Sequence, residues 1–191
     1  MERRPLATDD VTTAQLLDEC RNGSREAMHR LYLAYQQSVF SVALNFFGDR
    51  DRAEDVTQQV FLKLLKGLSF AGRSQFTTWL YRLTVNQCLD EARRNRRLVS
   101  FGEWFSMAEP ITRMSLSDQV DSRALSREVQ TGVSGLRPKY RIPIVLRYVE
   151  GLSYQEIAAV LEVSVGTVSS RMNRGHKLLA AKLAHLRGQV H

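Results

Sequence analysis

The sequence has few of the residues that build metal sites or disulfide frameworks. Its 191 residues include two cysteines, Cys20 and Cys88, which lack the CxxC spacing of a zinc site. Two lone cysteines argue against a disulfide scaffold and fit a reducing cytosol. The four histidines have no metal-ligand spacing, and neither a glycine-rich phosphate loop nor a nucleophile–base motif is present. We therefore predict no metal, no cofactor and no catalytic residue.

Long apolar runs and strand-like alternation are also absent. No stretch reaches the apolar length needed to cross a bilayer, so we predict no membrane insertion. The N-terminal MERRPLATDD has no apolar run behind its arginines, which excludes a signal peptide and favours a cytoplasmic protein. Nearly all periodicity is helical and predicts an all-α fold. The clearest predicted helices span residues 12–21, 25–47, 52–66 and 76–97. Pro138 should begin another helix, in which Pro143 predicts either a kink or a later start.

The net charge of +7 is concentrated near the C-terminus. Residues 121–191 carry eleven Lys and Arg against five Asp and Glu, and no acidic residue follows Glu162. A local basic excess is expected where a protein meets phosphates. An acidic protein or a membrane surface would also attract it, so the charge alone does not identify the partner.

Residues 152–179, LSYQEIAAVLEVSVGTVSSRMNRGHKLL, have the pattern of two short helices joined by a tight turn. Ser153 and Glu156 form a capping box for the first helix, and Ser164 caps the second. Only residues 162–164 separate the helices, which is typical of a helix-turn-helix that reads the DNA major groove. One face of the second helix is predicted to be apolar and contains Val165, Val168, Met172, Leu179 and Leu183. A helical hairpin with a solvated basic face is the alternative.

A second block, between residues 53 and 94, contains AEDVTQQVFLKLL, FTTWLYRLTVN and DEARR. Together with RPKYRIPIVLRYVEGLSYQEIA and SVGTVSSR, it resembles the bacterial sigma factors of the extracytoplasmic-function (ECF) group, within the sigma-70 family. The resemblance covers residues 20–95 and 122–183. It implies an all-α initiation factor of two small helical domains joined by a linker. Residues 1–97 would bind core RNA polymerase and melt the promoter −10 element. Residues 98–120 would be the linker, and the helix-turn-helix domain, 121–191, would read the −35 element.

The resemblance also assigns candidate contacts with polymerase. Val56, Val60 and Leu64 repeat at helical spacing and should face the core, which leaves the opposite side of their helix exposed. In the family the exposed positions dock on a coiled coil of the polymerase's largest subunit, and the polymerase flap is a further partner. The matching residues here are Asp55, Gln58 and Gln59. From the sequence alone, a solvated helix face is the alternative.

Contacts with the −10 element are implied in the loop 69–75 and the helix after it. Phe76 and Trp79 fall on an apolar stripe that predicts a structural role, whereas Tyr81 lies on the other side and should be freer to meet DNA. An amide such as Asn86 can pair with a base edge or cap a local backbone group, and arginines can contact phosphates or the helix dipole. The −10 candidates are Ser69, Phe70, Ala71, Gly72, Tyr81, Arg82, Asn86 and Arg93.

Contacts with the −35 element are implied at the start and middle of the second helix of the helix-turn-helix. Arginine forms paired hydrogen bonds with guanine, and a helix N-terminus suits a phosphate. His176 projects toward the apolar side, and we expect it to pack at the rim. The −35 candidates are Ser164, Thr167, Ser170, Arg171, Arg174 and Lys177.

Three matters are left open by the residues themselves. The segment VSFGEWFSMAEPITRM, residues 99–114, is too apolar for a free tether, and we expect it to pack on a partner or bridge the domains. The resemblance implies an anti-sigma factor as a partner but does not identify it. A stand-alone helix-turn-helix regulator that binds a palindromic site unaided is the alternative function. A nucleic-acid enzyme is disfavoured because clustered acidic metal ligands are absent.

Overall fold

The computed structural model describes residues 10–66, 75–98 and 128–184, and its regular structure within these ranges is helical throughout. Eight helices follow one another along the described chain, the fifth being described over residues 128–134. They are α1 (Asp10–Arg21), α2 (Arg25–Phe47), α3 (Arg50–Lys66), α4 (Phe76–Leu98), α5 (128–134), α6 (Pro138–Tyr148), α7 (Tyr154–Leu161) and α8 (Val165–Lys182). The predicted all-α fold is confirmed. Residues 69–74 of the predicted loop and 99–120 of the predicted linker lie outside the described residues.

Local capping explains where α2 begins and ends. Ser24 Oγ accepts a hydrogen bond from the Ala27 amide at 3.2 Å. At the other end Gly48 adopts the left-handed conformation, with φ of 68°, and its amide donates to the Leu44 carbonyl at 2.7 Å. Glycine takes this conformation without the steric cost that a side chain would bring. Because both signals are local, the predicted range of α2 is confirmed, and those of α1, α3 and α4 are wrong by one or two residues only.

Helices α1 to α4, which we call the first unit, pack around one apolar core. Leu31, Val39 and Val60 are completely buried in it. Tyr35 packs edge-on against Phe76, with ring centroids 5.1 Å apart. Phe76 is only 5% exposed, so its predicted structural role is confirmed.

Helices α5 to α8 form the second unit, whose core contains Leu146, Ile157, Val168 and Met172. Helix α6 begins at Pro138, as predicted, and continues through Pro143 to Tyr148. The placement of Val165 on the apolar face was wrong: it is 41% exposed, because the buried stripe of α8 begins one turn later at Val168.

A close approach between α8 and α6 depends on Gly175. This residue is buried, and a Cβ placed on it would lie 2.6 Å from Ile144 Cδ1 and 3.4 Å from the Tyr140 carbonyl oxygen. The absence of a side chain therefore sets how near the second helix of the helix-turn-helix lies to α6. Elsewhere the two units touch along α2 and α6 and along α4 and α7. None of the helices in the described ranges has the length and apolar character that crossing a membrane requires.

Gly175→Ala is expected to lower the free energy of unfolding by about 1 kcal/mol. Overpacking costs about 1–3 kcal/mol, and the better helix propensity of alanine recovers about 1 kcal/mol. The matched control is Gly166→Ala in the same helix, where an added Cβ would meet only Ser164 Oγ, at 3.8 Å. This control should be neutral or stabilising by up to about 1 kcal/mol. Urea unfolding of both variants measures the difference, and equal effects would contradict the packing role of Gly175.

Candidate nucleic-acid and protein interfaces

The helix-turn-helix is built by the predicted caps. Ser153 Oγ accepts from the Glu156 amide at 3.2 Å, and the Glu156 carboxylate accepts from the Ser153 amide at 2.7 Å, which completes the capping box. Helix α7 ends at Glu162, which adopts a left-handed conformation with φ of 53°. Ser164 then caps α8 by accepting from the Thr167 amide at 3.1 Å. The predicted turn over residues 162–164 is confirmed.

The outer face of α8 presents the predicted −35 residues. Ser164, Ser170, Arg174 and Lys177 are exposed, and Thr167 and Arg171 are half-buried. The hydroxyl groups of Ser164 and Thr167 lie 2.9 Å apart, and Ser170 Oγ donates to the Thr167 carbonyl at 2.9 Å. Within the described ranges, the three basic side chains of this face form no ion pair. Their cationic groups are therefore available to phosphates or to base edges.

His176 lies beside this face rather than on it. The hydroxyl of Tyr148 and His176 Nε2 are 3.1 Å apart, and the two rings meet edge-on with centroids separated by 5.7 Å. The prediction that His176 packs at a rim is confirmed. Its partner Tyr148 is 66% exposed, so the pair forms part of the surface of the second unit.

Helix α3 exposes the three predicted polymerase-contacting residues. Asp55, Gln58 and Gln59 are exposed, while Val56, Val60 and Leu64, on the opposite side of the helix, are at most 1% exposed. The predicted division of α3 into a core face and an exposed face is confirmed. The docking role assigned to the exposed face stays a prediction.

A groove between α2 and α3 borders this exposed face. It encloses about 600 Å³, and its lining includes Gln58 together with Tyr32, Phe61 and Leu62. Tyr32 packs edge-on against Phe61 with ring centroids 4.8 Å apart, yet Tyr32 and Leu62 remain 38% and 40% exposed. This groove was not predicted from the sequence, because it depends on how two helices pack. The signal in the sequence that could have indicated the groove is Leu62, an apolar residue on the exposed face of α3.

The predicted −10 residues on α4 differ in how accessible they are. Asn86 is exposed, and so is Arg93, which pairs with Asp90 at 3.0 Å. The expectation that Tyr81 is free to meet DNA was wrong: it is 5% exposed, and its hydroxyl donates to a Glu150 carboxylate oxygen at 2.8 Å. The second unit covers this side of α4. Burial, and then the neighbouring carboxylate of Glu150, raise the pKa of Tyr81.

Arg82 is also engaged by the second unit. Its guanidinium donates to the Ala159 carbonyl at 2.8 Å and forms an ion pair with the Glu162 carboxylate at 2.7 Å. The remaining −10 candidates, residues 69–72, lie outside the described residues. Trp79 is half-buried, and its ring centroid is 5.8 Å from that of Phe76. In the described ranges, no three His, Cys, Asp or Glu side chains come together as a metal site would require.

Two family models match the two units in order. Sigma-70 region 2 matches residues 31–98, and Sigma-70 region 4 matches residues 126–179. These matches cover α4 completely and most of the helix-turn-helix. The chain thus carries the two family regions in the order that the sequence motifs predicted.

Relatives of known name span nearly the whole chain. An ECF RNA polymerase sigma factor, SigE of Mycolicibacterium smegmatis, is 33% identical over 93% of this chain and 70% of its own length. The ECF RNA polymerase sigma-E factor of Escherichia coli K12 is 31% identical over 94% of this chain and 98% of its own length. SigW of Bacillus subtilis is 29% identical over 89% of this chain and 96% of its own length.

Solved structures agree with this fold. The sigma factor RpoE of Bartonella quintana, solved with the anti-sigma factor NepR, superposes with a TM-score of 0.64 at 23% identity, over 82% of this chain and 96% of RpoE. CnrH, solved with the cytosolic domain of CnrY, gives the same TM-score and identity over 89% of this chain and 96% of CnrH. At this identity the likeness concerns the fold alone. Taken with the family matches and the full-length relatives, it leads to one conclusion: the chain belongs to the ECF RNA polymerase sigma factors of the sigma-70 family.

Proposed function

We propose that this protein directs core RNA polymerase to promoters that carry a −10 and a −35 element, and that it assists strand opening there. The observation that carries the proposal is the joint presence of both family regions, in order, with a helix-turn-helix whose second helix exposes Arg174 and Lys177. It is a binding subunit, and the chemistry of RNA synthesis belongs to polymerase. The predicted −35, −10 and polymerase contacts are part of this proposal.

Recognition of the −35 element is assigned to α8 lying in the major groove. The exposed guanidinium of Arg174 and the half-buried one of Arg171 suit paired hydrogen bonds to guanine. Ser164 and Thr167 lie at the N-terminus of α8, where the helix dipole favours a phosphate, and Ser170 presents a further hydroxyl on the same helix. Lys177 is placed farther along the helix and supplies a phosphate contact that does not depend on sequence.

Docking on polymerase is assigned to the exposed face of α3 and the groove beside it. A helix of a partner fits an apolar groove by inserting side chains from one face, and the coiled coil of polymerase's largest subunit offers such helices. Leu62 and Tyr32 supply apolar contact area, and Gln58 supplies hydrogen bonds at the rim of the groove. The flap of polymerase is the proposed partner of the second unit.

Strand opening is assigned to α4 and to residues 69–75, for which the sequence predicts a loop. An unpaired base that stacks on an aromatic side chain gains about 1–3 kcal/mol, so a few such contacts help to hold a melted strand. Asn86 and Arg93 are exposed on α4 and suit a base edge and a phosphate. Tyr81 and Arg82 can contribute only after the second unit has moved away.

We also propose that the protein acts in the cytoplasm and has an anti-sigma factor as a partner. The supporting observation is that RpoE and CnrH, which share this fold, were solved as complexes with an anti-sigma factor and with the cytosolic domain of CnrY. The alternative of a stand-alone regulator is not favoured, because sigma factors match this chain over nearly its whole length.

Run-off transcription on a promoter library tests the function as a whole. With core polymerase, the protein should produce transcripts that begin at a fixed distance downstream of a shared two-part motif. Core polymerase without the protein, and the protein without polymerase, are the controls. If the protein adds no transcription but binds a palindromic duplex tightly by itself, it is a conventional regulator instead.

Variants of α8 should separate base contacts from phosphate contacts in the holoenzyme. Arg174→Ala is expected to reduce discrimination at one −35 base pair by about 1–3 kcal/mol. Lys177→Ala should weaken binding to all DNA sequences equally and should reduce the slope of log affinity against log salt concentration by about one. The control is Lys139→Ala, since Lys139 stacks on the Tyr140 ring, 5.0 Å from its centroid. If Arg174→Ala instead weakens binding equally for all DNA sequences, this arginine contacts a phosphate rather than a base.

Combining Gln58→Ala with Leu62→Ser should weaken binding to core polymerase by about 2 kcal/mol, or roughly 30-fold. Both side chains line the groove and are exposed, so their replacement should leave the fold intact. Gln15→Ala on α1 is the matched control for an exposed glutamine elsewhere in the first unit. Affinity is measured by fluorescence titration, with the unfolding midpoint as a check. Unchanged affinity in the double variant would contradict docking at this groove.

A further inference from the structure

The first turn of α8 contains an apolar side chain that the packing of the second unit does not explain. Three valines lie at or near the start of this helix. Val163 packs against the apolar core and Val168 is completely buried, whereas Val165, the first residue of α8, is 41% exposed. The core contact at the start of α8 is thus made mainly by the two neighbouring valines and not by Val165.

The next residue, Gly166, is not required by the packing either. It is exposed, and a Cβ placed on it would meet only Ser164 Oγ, at 3.8 Å. Gly175 in the same helix differs, because it has no room for a side chain. Glycine weakens a helix relative to alanine, and valine is also a poorer helix former than alanine. The sequence at the start of α8 therefore works against the helix, and such a local conflict is expected at a functional site.

Both residues lie beside the proposed −35 contacts. Gly166 precedes Ser170 by four positions, and Arg174 follows four positions later, so the three lie along one exposed side of α8. Val165 directly follows Ser164, the residue that caps the helix. In a helix-turn-helix the N-terminal residues of the second helix contact base edges. With α8 in the major groove, the side chain of Val165 is thus near the edges of the base pairs.

An exposed valine matches only one of the groups that base edges present in the major groove. These groups are hydrogen-bond donors and acceptors, together with the 5-methyl group of thymine, which is apolar. The side chain of valine has no polar atom, so against a donor or an acceptor it would displace water without replacing the hydrogen bond. A thymine methyl group loses no hydrogen bond when it is covered, and it is therefore the favourable partner.

We propose that Val165 contacts the 5-methyl group of a thymine in the −35 element and so selects an A·T pair there, while Gly166 lets the backbone of α8 approach the base edges closely. The inference rests on the proposed function, which places α8 in the major groove. It adds an apolar contact to a set of −35 residues that otherwise consists of hydroxyl groups and cations. The −35 element selected from the promoter library must therefore contain at least one A·T pair.

Deoxyuridine tests the contact, because it differs from thymidine only in lacking the 5-methyl group. Each thymine of the −35 element, on either strand, is replaced in turn in a promoter duplex. The affinity of the holoenzyme for each duplex is measured by competition at one salt concentration. At one position the replacement should weaken binding by about three- to fourfold, which is the effect expected for one buried methyl group.

Val165→Ala identifies the side chain that contacts this methyl group. Holoenzyme with this variant should bind the thymine-containing duplex more weakly, and deoxyuridine at the sensitive position should cause no further loss. Such non-additivity indicates direct contact between the two altered groups. Val129→Ala on α5 is the matched control, because Val129 is also 41% exposed, and it should keep the full response to deoxyuridine. If Val165→Ala responds to every replacement as the unaltered protein does, the proposal is overturned.

Gly166→Ala tests the close approach independently of Val165. This variant should be at least as stable to urea as the unaltered protein, since its Cβ has open space, and its affinity for core polymerase should not change. Its holoenzyme should bind the promoter about fivefold more weakly or worse, because an added carbon overpacks a tight contact. Promoter affinity equal to that of the unaltered protein would contradict the close approach.

The failures of the two proposals are distinguishable. If holoenzyme containing the unaltered protein prefers no promoter, the proposed function is wrong, and the thymine contact falls with it. If the holoenzyme selects a −35 element but binds equally tightly when each of its thymines is replaced, the function stands and only the thymine contact is wrong.

Discussion

One half-buried guanidinium, that of Arg141, bridges the two units. Arg141 donates to the Leu136 carbonyl from two of its nitrogens and to the Phe46 carbonyl from a third. Burial lowers the pKa of Arg141 to about 10, so the group remains charged at neutral pH. A charge partly removed from water is tolerated when hydrogen bonds replace its hydration, and carbonyls near a helix C-terminus are good partners for a cation. Arg141 thereby ties the loop before α6 to the end of α2.

Features that depend on a few neighbouring residues could be predicted from the sequence. Ser24 and Gly48 mark the two ends of α2, and the reciprocal hydrogen bonds of Ser153 and Glu156 mark the start of α7. These signals are readable because a cap involves residues only a few positions apart. The exposed phase of α3 follows from the same local periodicity. Helix boundaries and the helix-turn-helix were therefore predictable, and so was the identity of the side chains on the outer face of α8.

Features that depend on packing between helices could not be predicted in this way. A helical wheel placed Tyr81 away from the stripe that contains Phe76, but it contains no information about a second unit that packs against α4. Predicting the groove beside Leu62 requires knowledge of the angle between α2 and α3. Predicting the close approach of Gly175 to Ile144 requires knowledge of the angle between α6 and α8. The burial of Tyr81 and the groove beside Leu62 both concern surfaces that exist only when separate helices meet.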